Sequence, residues 1–216
     1  MDKEEREKLA KEQGKARGAQ VIGGVPYVDI GLSVLWAECN VGAESPDTFG
    51  DYFAWGETET KTLFWDTNNV TLGIDMADIG GDVAHDAARA RCGTPWRLPT
   101  VTEFEELLAR CRWEWTQATG TGGIPAAGTQ EKSSLVAGFR VTGDNGASLF
   151  LPAAGWRYGA SLYDAGRYGC YWTSEPDSNN NQYAMRFEFD PTYRSTASYY
   201  RDRGRSIRPV ASKDGL

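Results

Sequence analysis

The chain has 216 residues, 40% of them hydrophobic, which is enough for one globular domain with a real core plus an extension. Its formal net charge of -7 argues against nucleic acid as a partner, because phosphate-binding surfaces are normally basic. The sequence has no apolar run of about 18 residues and no apolar signal-peptide region near its start, so we expect no direct membrane insertion.

The first predicted segment is a charged extension at residues 1–20. Residues 2–20 contain six basic and five acidic side chains, and Leu9 is their only large apolar residue. A helix here would have no apolar face to bury, so we expect either a mobile tail or a stalk fragment that could mediate oligomerisation. The globular domain is predicted at residues 21–212.

Short β-rich segments separated by Gly, Pro, Asn and Asp follow from Val21, and two helices interrupt them. The stretch "DVAHDAARARCG" predicts a helix with Asp82 as N-cap and Gly93 as its end. In the second helix, Thr100 and Glu103 form a capping box. One face of that helix carries Phe104, Leu107, Leu108 and Cys111.

The stretch "GFRVTGDNGASLFLPAAG" predicts a hairpin with its turn at residues 144–146. Strands before two helices, and strands after them, predict the α+β class.

The segment at residues 157–208 differs from the rest of the chain. It holds eight arginines, six acidic residues and no lysine, and residues 161–205 hold seven of the ten tyrosines. Tyr and Arg with Ser, Asn and Asp are the composition of a paratope, so we interpret this segment as a binding face. A wet, tyrosine-rich β-surface is the alternative. In "YAMRFEFD", alternation predicts Phe187 and Phe189 toward the core, with Arg186 and Glu188 outward.

Four stretches carry a resemblance to a known family: "VDIGLSVLWAECNVGAESPDTFGDYFAWGETE", "WRLPTVTEFEELL", "LPAAGWRYGASLYDAGRYGCYWTS" and "RSIRPV". From Val28 to Val210 the chain resembles the variable proteins of diversity-generating retroelements from gut bacteria and their phages. The resemblance is to the branch related to the formylglycine-generating enzyme. It implies an α+β C-type lectin fold with two main helices, short antiparallel sheets and long loops.

In that family a reverse transcriptase randomises template adenines, and the copy overwrites the 3' end of the gene. An AAC or AAT codon treated in this way can encode Tyr, Asn, Ser, Asp or Arg, but never Lys, Glu, Gln, Met or Trp. The resemblance therefore implies a variable region at about residues 157–208. The reachable positions, which we expect to contact ligand, are Tyr163, Asp164, Tyr168, Asp177, Asn179, Asn180, Tyr183, Arg186, Tyr193, Ser195, Tyr199, Tyr200, Asp202 and Arg203.

The positions expected to form the fixed scaffold are Leu151, Pro152, Gly155, Trp172, Phe187, Phe189, Ile207 and Pro209. Arg205 stands where the family pattern usually has an aromatic residue. The resemblance implies a non-enzymatic protein that recognises a protein or glycan on another cell or particle. It would be carried on a phage particle or displayed on a cell surface, with no cofactor, metal or catalytic residue.

Two other functions remain open at this point. An oxidising enzyme of the formylglycine-generating type would use a thiol such as Cys170, although no cysteine pair matches that enzyme's motif. We expect the cysteines to be reduced, since no metal-type spacing or sign of secretion is present. The single histidine, His85, is expected to be solvated or to cap a helix.

A calcium-dependent sugar-binding lectin is the other alternative. The triplet Glu175-Pro176-Asp177 resembles the Glu-Pro-Asn triplet of those lectins, and Asn179 and Asn181 could add oxygen ligands. The companion Trp-Asn-Asp triplet is absent from the sequence.

Overall fold

A computed structural model describes residues 19–116 and 136–213 of the chain. The charged extension up to residue 18 lies outside the described residues, as do residues 117–135 and 214–216. Gln20, the last residue assigned to that extension, begins the first strand.

Twelve strands form four small sheets, and every strand pair within them is antiparallel. The first six strands are β1 (Gln20–Ile22), β2 (Val25–Val28), β3 (Val34–Ala37), β4 (Arg112–Thr116), β5 (Gly138–Thr142) and β6 (Ser148–Pro152). The other six are β7 (Trp156–Tyr158), β8 (Ser161–Tyr163), β9 (Gly169–Pro176), β10 (Tyr183–Asp190), β11 (Tyr193–Tyr200) and β12 (Val210–Ser212). The sheet orders are β1-β2-β3-β12, β4-β5-β6, β7-β8 and β11-β10-β9.

Two α-helices lie between β3 and β4: α1 (Ala87–Cys92) and α2 (Val101–Arg110). A short 3-10 helix covers Asp66–Asn68. The predicted capping box of α2 is confirmed, since the Thr100 side chain accepts from the Glu103 backbone N–H and Glu103 accepts from the Thr100 N–H. This helix packs Phe104 and Leu107 into the core.

The predicted start of the first helix is wrong. Asp82 heads a non-helical turn, in which its carboxylate binds the Ala84 N–H and the His85 ring. Asp86 is the N-cap instead, because its buried carboxylate accepts backbone N–H groups of Arg89 and, from outside the helix, of Gly81 and Leu98. The predicted end at Gly93 is confirmed.

The expected α+β class, with a C-type lectin fold built on two main helices, is also wrong. Of the described residues, 38% are in strands and 11% in helices, and the strands form four small antiparallel sheets. The two α-helices have only six and ten residues, whereas twelve strands supply most of the regular structure. The first helix is short because residues 83–85 form a turn before it. The described chain is mostly β.

Two apolar clusters form most of the core, and β9 lies between them. Tyr171 belongs to the first cluster, with Phe104 of α2 and Phe187 of β10. Trp172, the next residue, points to the other side of the strand and belongs to the second cluster with Trp55. The two faces of one strand thus join both clusters. The eight positions expected to form the scaffold are all buried.

Candidate ligand-binding surface

The sheet β9–β10–β11 has one face in the first apolar cluster, and its other face packs partly into the second cluster, through Trp172 and Ala184, and partly against polar and aromatic side chains. Phe187 and Phe189 point into the core, as predicted, and the Phe187 ring stacks on Phe104 with centroids 4.7 Å apart. Residues paired directly across antiparallel strands share a face. The opposite face, which we call the outer face, carries Cys170, Trp172, Ala184, Arg186, Glu188, Ser195, Ala197 and Tyr199.

Five aromatic rings and one arginine form a continuous set of contacts beside β11, which we call the aromatic–arginine surface. It consists of Trp65, Tyr158, Tyr183, Tyr199, Tyr200 and Arg203. The Arg203 guanidinium carbon lies 3.7 Å from the ring centroid of Tyr158 and 5.4 Å from that of Tyr200. Arg203 therefore joins the rings of β7 to those of β11 through cation–π contacts.

Trp65 reaches this surface from a distant part of the sequence. Phe64 and Gly159 exchange backbone hydrogen bonds of 3.0 and 2.9 Å, which hold the loop before the 3-10 helix against β7. The Trp65 ring then packs edge-on against Tyr158 at 4.7 Å. No sequence pattern marks Trp65 as part of a surface, whereas Tyr158 lies within the predicted variable region.

Beneath Tyr199 the outer face is charged. The guanidinium carbons of Arg186, Arg205 and Arg203 lie 4.8, 5.3 and 5.9 Å from the centroid of the Tyr199 ring. We call these three residues the arginine cluster. Tyr199 itself is 37% exposed. A single surface ring thus covers three cationic side chains.

Two members of the arginine cluster form ion pairs with acids. Arg186 contacts Glu188, and its Nη1 also donates to the Ser198 carbonyl at 2.9 Å. The Tyr168 hydroxyl donates to the same Glu188 carboxylate, and burial raises the pKa of Tyr168 well above its usual range.

Arg203 pairs with Asp202, whose pKa is raised because its carboxylate is buried. Arg205 contacts the Cys170 thiol, and it is fully buried against the Trp172 ring at 4.7 Å. Burial raises the pKa of that thiol and lowers the pKa of the Arg205 guanidinium. The expected aromatic at this position is thus replaced by a buried cation.

The structure places most of the fourteen predicted contact residues at the surface. The exposed ones are Tyr163, Asp164, Asn179, Asn180, Tyr193 and Tyr199, and the half-buried ones are Tyr168, Asp177, Tyr183, Ser195, Tyr200 and Arg203. Arg186 and Asp202 are buried, with 9% and 2% exposure. Arg186 and Glu188 were expected to point to solvent, and that expectation is wrong because Tyr199 and Arg205 cover the outer face.

The predicted residues do not form one patch. Tyr163 and Asp164 lie on the β7–β8 hairpin, where Tyr163 stacks on Trp156 at 4.7 Å and Asp164 accepts from the Trp156 indole at 3.1 Å. Tyr193 lies at the far end of β11 from Tyr199. The aromatic–arginine surface is therefore the part that the structure brings together.

A cavity of about 450 Å³ lies next to this surface, in the loop after β9. Its lining includes Asp75, Asp177, Asn179, Asn180, Asn181 and Arg201. The Asn181 side chain donates to Asp75 at 2.9 Å, and the Asn179 backbone donates to Asp177 at 2.8 Å. Within residues 19–116 and 136–213, no three His, Cys, Asp or Glu side chains are grouped to hold a metal ion.

All four cysteines lie in the described residues, and none forms a disulfide. Cys170 is fully buried, and the other three are half-buried. Within the described part of the chain, no helix is long and apolar enough to cross a bilayer.

Comparison with known proteins gives one match. Residues 129–210 match a family described as a domain of unknown function, DUF8237. No curated protein and no solved structure matches the chain. The matched segment contains the whole arginine cluster, and Trp65 lies outside it.

Proposed function

We propose that the chain is a non-enzymatic ligand-binding protein whose surface around β11 is diversified by a retroelement. Its ligand is a protein or glycan on another cell or particle. The observation that carries this proposal is the aromatic–arginine surface, in which the exposed Tyr199 and the half-buried Tyr158 and Tyr200 surround Arg203 above a buried body. Tyr and Arg give large contact areas at modest entropic cost, and they dominate binding hot spots.

The placement of codon-restricted residues supports the proposal. Trp172, Met185 and Glu188 cannot arise from an adenine-randomised AAC or AAT codon; Trp172 and Glu188 are buried, and Met185 is half-buried. Tyr163, Tyr193 and Tyr199 can arise from such codons, and they are 41%, 47% and 37% exposed. Residues 133–212 contain no lysine, a residue that these codons never produce.

The burial of Cys170 favours binding over thiol chemistry. A nucleophilic cysteine needs an accessible thiolate, whereas burial raises the pKa of this thiol and leaves none of its surface exposed.

The test is to sequence the DNA that flanks the gene and the gene itself in many clones. We expect a reverse-transcriptase gene and a near-copy of codons 157–208 that differs mainly at adenines. Variation among clones should fall at the exposed and half-buried positions and spare Trp172 and Glu188. A flanking region without either element, with variation spread evenly over the gene, would reject the proposal.

A further inference from the structure

The arginine cluster carries more positive charge than its surroundings balance. Among the described residues, Arg186 forms an ion pair with Glu188 and Arg203 forms one with Asp202, while Arg205 forms no ion pair of its own and only shares the field of the Asp202 carboxylate. Its contact is the Cys170 thiol, whose neutral form is favoured by burial. The cluster therefore has one positive charge in excess, in a site that water barely reaches.

The cluster also has hydrogen-bond donors that the protein does not use. A guanidinium has five N–H donors in a fixed fork. The Nε atoms of Arg186, Arg203 and Arg205 are all buried, and none has an acceptor in the described chain. A buried charged donor without an acceptor is costly, so three of them in one place call for a bound group.

An anion satisfies both needs, whereas water satisfies only the second. Water offers acceptors for the free N–H groups but leaves the excess charge in place. A carboxylate or sulfate accepts paired N–H donors from guanidinium forks and carries the opposite charge. The rest of the chain does not attract anions, since residues 157–208 are +2 within a total of -7.

We propose that the arginine cluster binds an oxyanion, a carboxylate or sulfate group of the ligand, and that the Tyr199 ring closes over it. The inference rests on the proposed function, because it names the chemistry recognised at the same surface. Tyr199 is partly exposed on the edge strand of its sheet, so its ring can turn aside to admit the group. A carboxylate would come from an acidic side chain or an acidic sugar, and a sulfate from a sulfated glycan.

The test follows the arginine Nε–H signals by NMR in the full chain with isotope-labelled arginine, titrated with sodium sulfate or sodium acetate at constant ionic strength. We expect the signals of Arg186, Arg203 and Arg205 to shift saturably. Two other buried arginines serve as internal controls, because their Nε–H groups already have acceptors. Arg201 donates to the Tyr183 carbonyl at 3.0 Å, and Arg208 donates to Asn40 Oδ1 at 2.9 Å.

A matched pair of variants separates the site from general charge. Arg203→Lys keeps the charge beside Asp202 but loses the planar fork, so the anion affinity should fall by about tenfold. Arg167→Lys, at an exposed position outside the cluster, should leave it unchanged. The stronger of the two probes indicates which source of oxyanion the site prefers.

Absence of saturable shifts with both probes would overturn the proposal, as would equal shifts of all five arginines, which would mark a general salt effect. Equal affinities in the two variants would also overturn it. These measurements need no ligand and no genomic context. Failure here would therefore leave the proposed function standing, and failure of the flanking-DNA test would leave a measured anion site unaffected.

Discussion

Three fully buried arginines differ in how the protein satisfies them. Arg208 donates to Asn40 and to the carbonyls of Ala37, Glu38 and Phe150. Its charge is buried, but its N–H groups have acceptors, and these hydrogen bonds connect β3 to β6.

Arg201 is satisfied in a similar way, through the carbonyls of Tyr183, Thr71 and Ile74. Within the described residues, the only hydrogen bond of the Arg205 side chain goes to the Cys170 thiol, and its other contacts are the rings of Trp172 and Tyr199. Burial lowers the pKa of all three guanidinium groups, but only Arg205 lacks carbonyl acceptors. The difference marks Arg205 as part of a site and the other two as part of the body.

Replacing Arg203 should cost stability even though it lies at the binding surface. Arg203→Ala leaves Asp202 buried without its cation, so we expect a loss of about 3 kcal/mol in the free energy of unfolding, measured with urea.

The double variant Asp202→Asn/Arg203→Ala is the control, because it removes the buried charge as well. It should recover about half of the loss. If the double variant is less stable than Arg203→Ala alone, the Asp202 carboxylate stabilises the fold even without Arg203, and the loss in Arg203→Ala does not come from an unpaired buried charge.

The phenol of Tyr171 should titrate late. Burial raises its pKa from 10.0 to about 12, and its hydroxyl donates to the Pro152 carbonyl at 2.6 Å. The folded state therefore holds this proton more tightly than the unfolded state does. The resulting stabilisation is fully present below the unfolded pKa and is lost as the pH rises through the folded pKa of about 12.

Ultraviolet difference absorbance measures this titration. In the folded protein, the absorbance change at high pH should be smaller in Tyr171→Phe by the amount that one ionising tyrosine contributes. An absorbance change of the same size in that variant would contradict the assignment.

At the scale of elements, the features that local sequence determines were predicted. The α2 capping box depends on residues three apart, and the hairpin of β5 and β6 depends on the turn at residues 144–146. The start of α1 was missed because Asp86 receives the backbone N–H of Leu98, twelve positions along the chain. No local pattern records that contact.

The candidate site was predicted only in part, for a related reason. Alternation along β10 separates Phe187 from Arg186 correctly, but it cannot tell that another segment covers the second face. After β11 the chain passes back across that face, and Arg205 covers it by packing against Trp172 and Tyr199. The face is therefore buried. Trp65 was missed because only the pairing of Phe64 with Gly159 brings it to the surface.

Gly169, in β9, and Gly146, in the turn between β5 and β6, should respond very differently to the same substitution. A Cβ atom at Gly169 would overlap the Phe189 ring, so Gly169→Ala should cost about 3 kcal/mol through overpacking of the core. Gly146 has φ +81 and open space around it, so Gly146→Ala should cost about 1 kcal/mol, from backbone strain alone.

Urea unfolding of both variants measures the difference. Equal losses would mean that the Phe189 ring can move away from β9. A larger loss at Gly146 would contradict the packing argument outright.

At the scale of the whole molecule, the proposed function requires a body that stays fixed while its coat changes. β9 makes this arrangement physically reasonable, because Tyr171 and Trp172 connect both apolar clusters through one strand. Substitutions of the exposed tyrosines do not change the residues of either apolar cluster. Apart from the Arg203–Asp202 ion pair, which serves both, stability and recognition would then depend on separate sets of residues.

Two libraries of equal size test this separation, each randomised at the two adenine positions of AAC codons. The surface library covers Tyr163, Asn179, Asn180, Tyr193 and Tyr199, and the body library covers Leu151, Trp172, Phe187, Phe189 and Ile207. A large-to-small change in a core costs about 2 to 5 kcal/mol, so two of them remove most of a typical stability of about 5 to 15 kcal/mol. Protease resistance of displayed variants should therefore survive in most of the surface library and in almost none of the body library. Similar surviving fractions would mean that the exposed rings hold the fold together and are not free to vary.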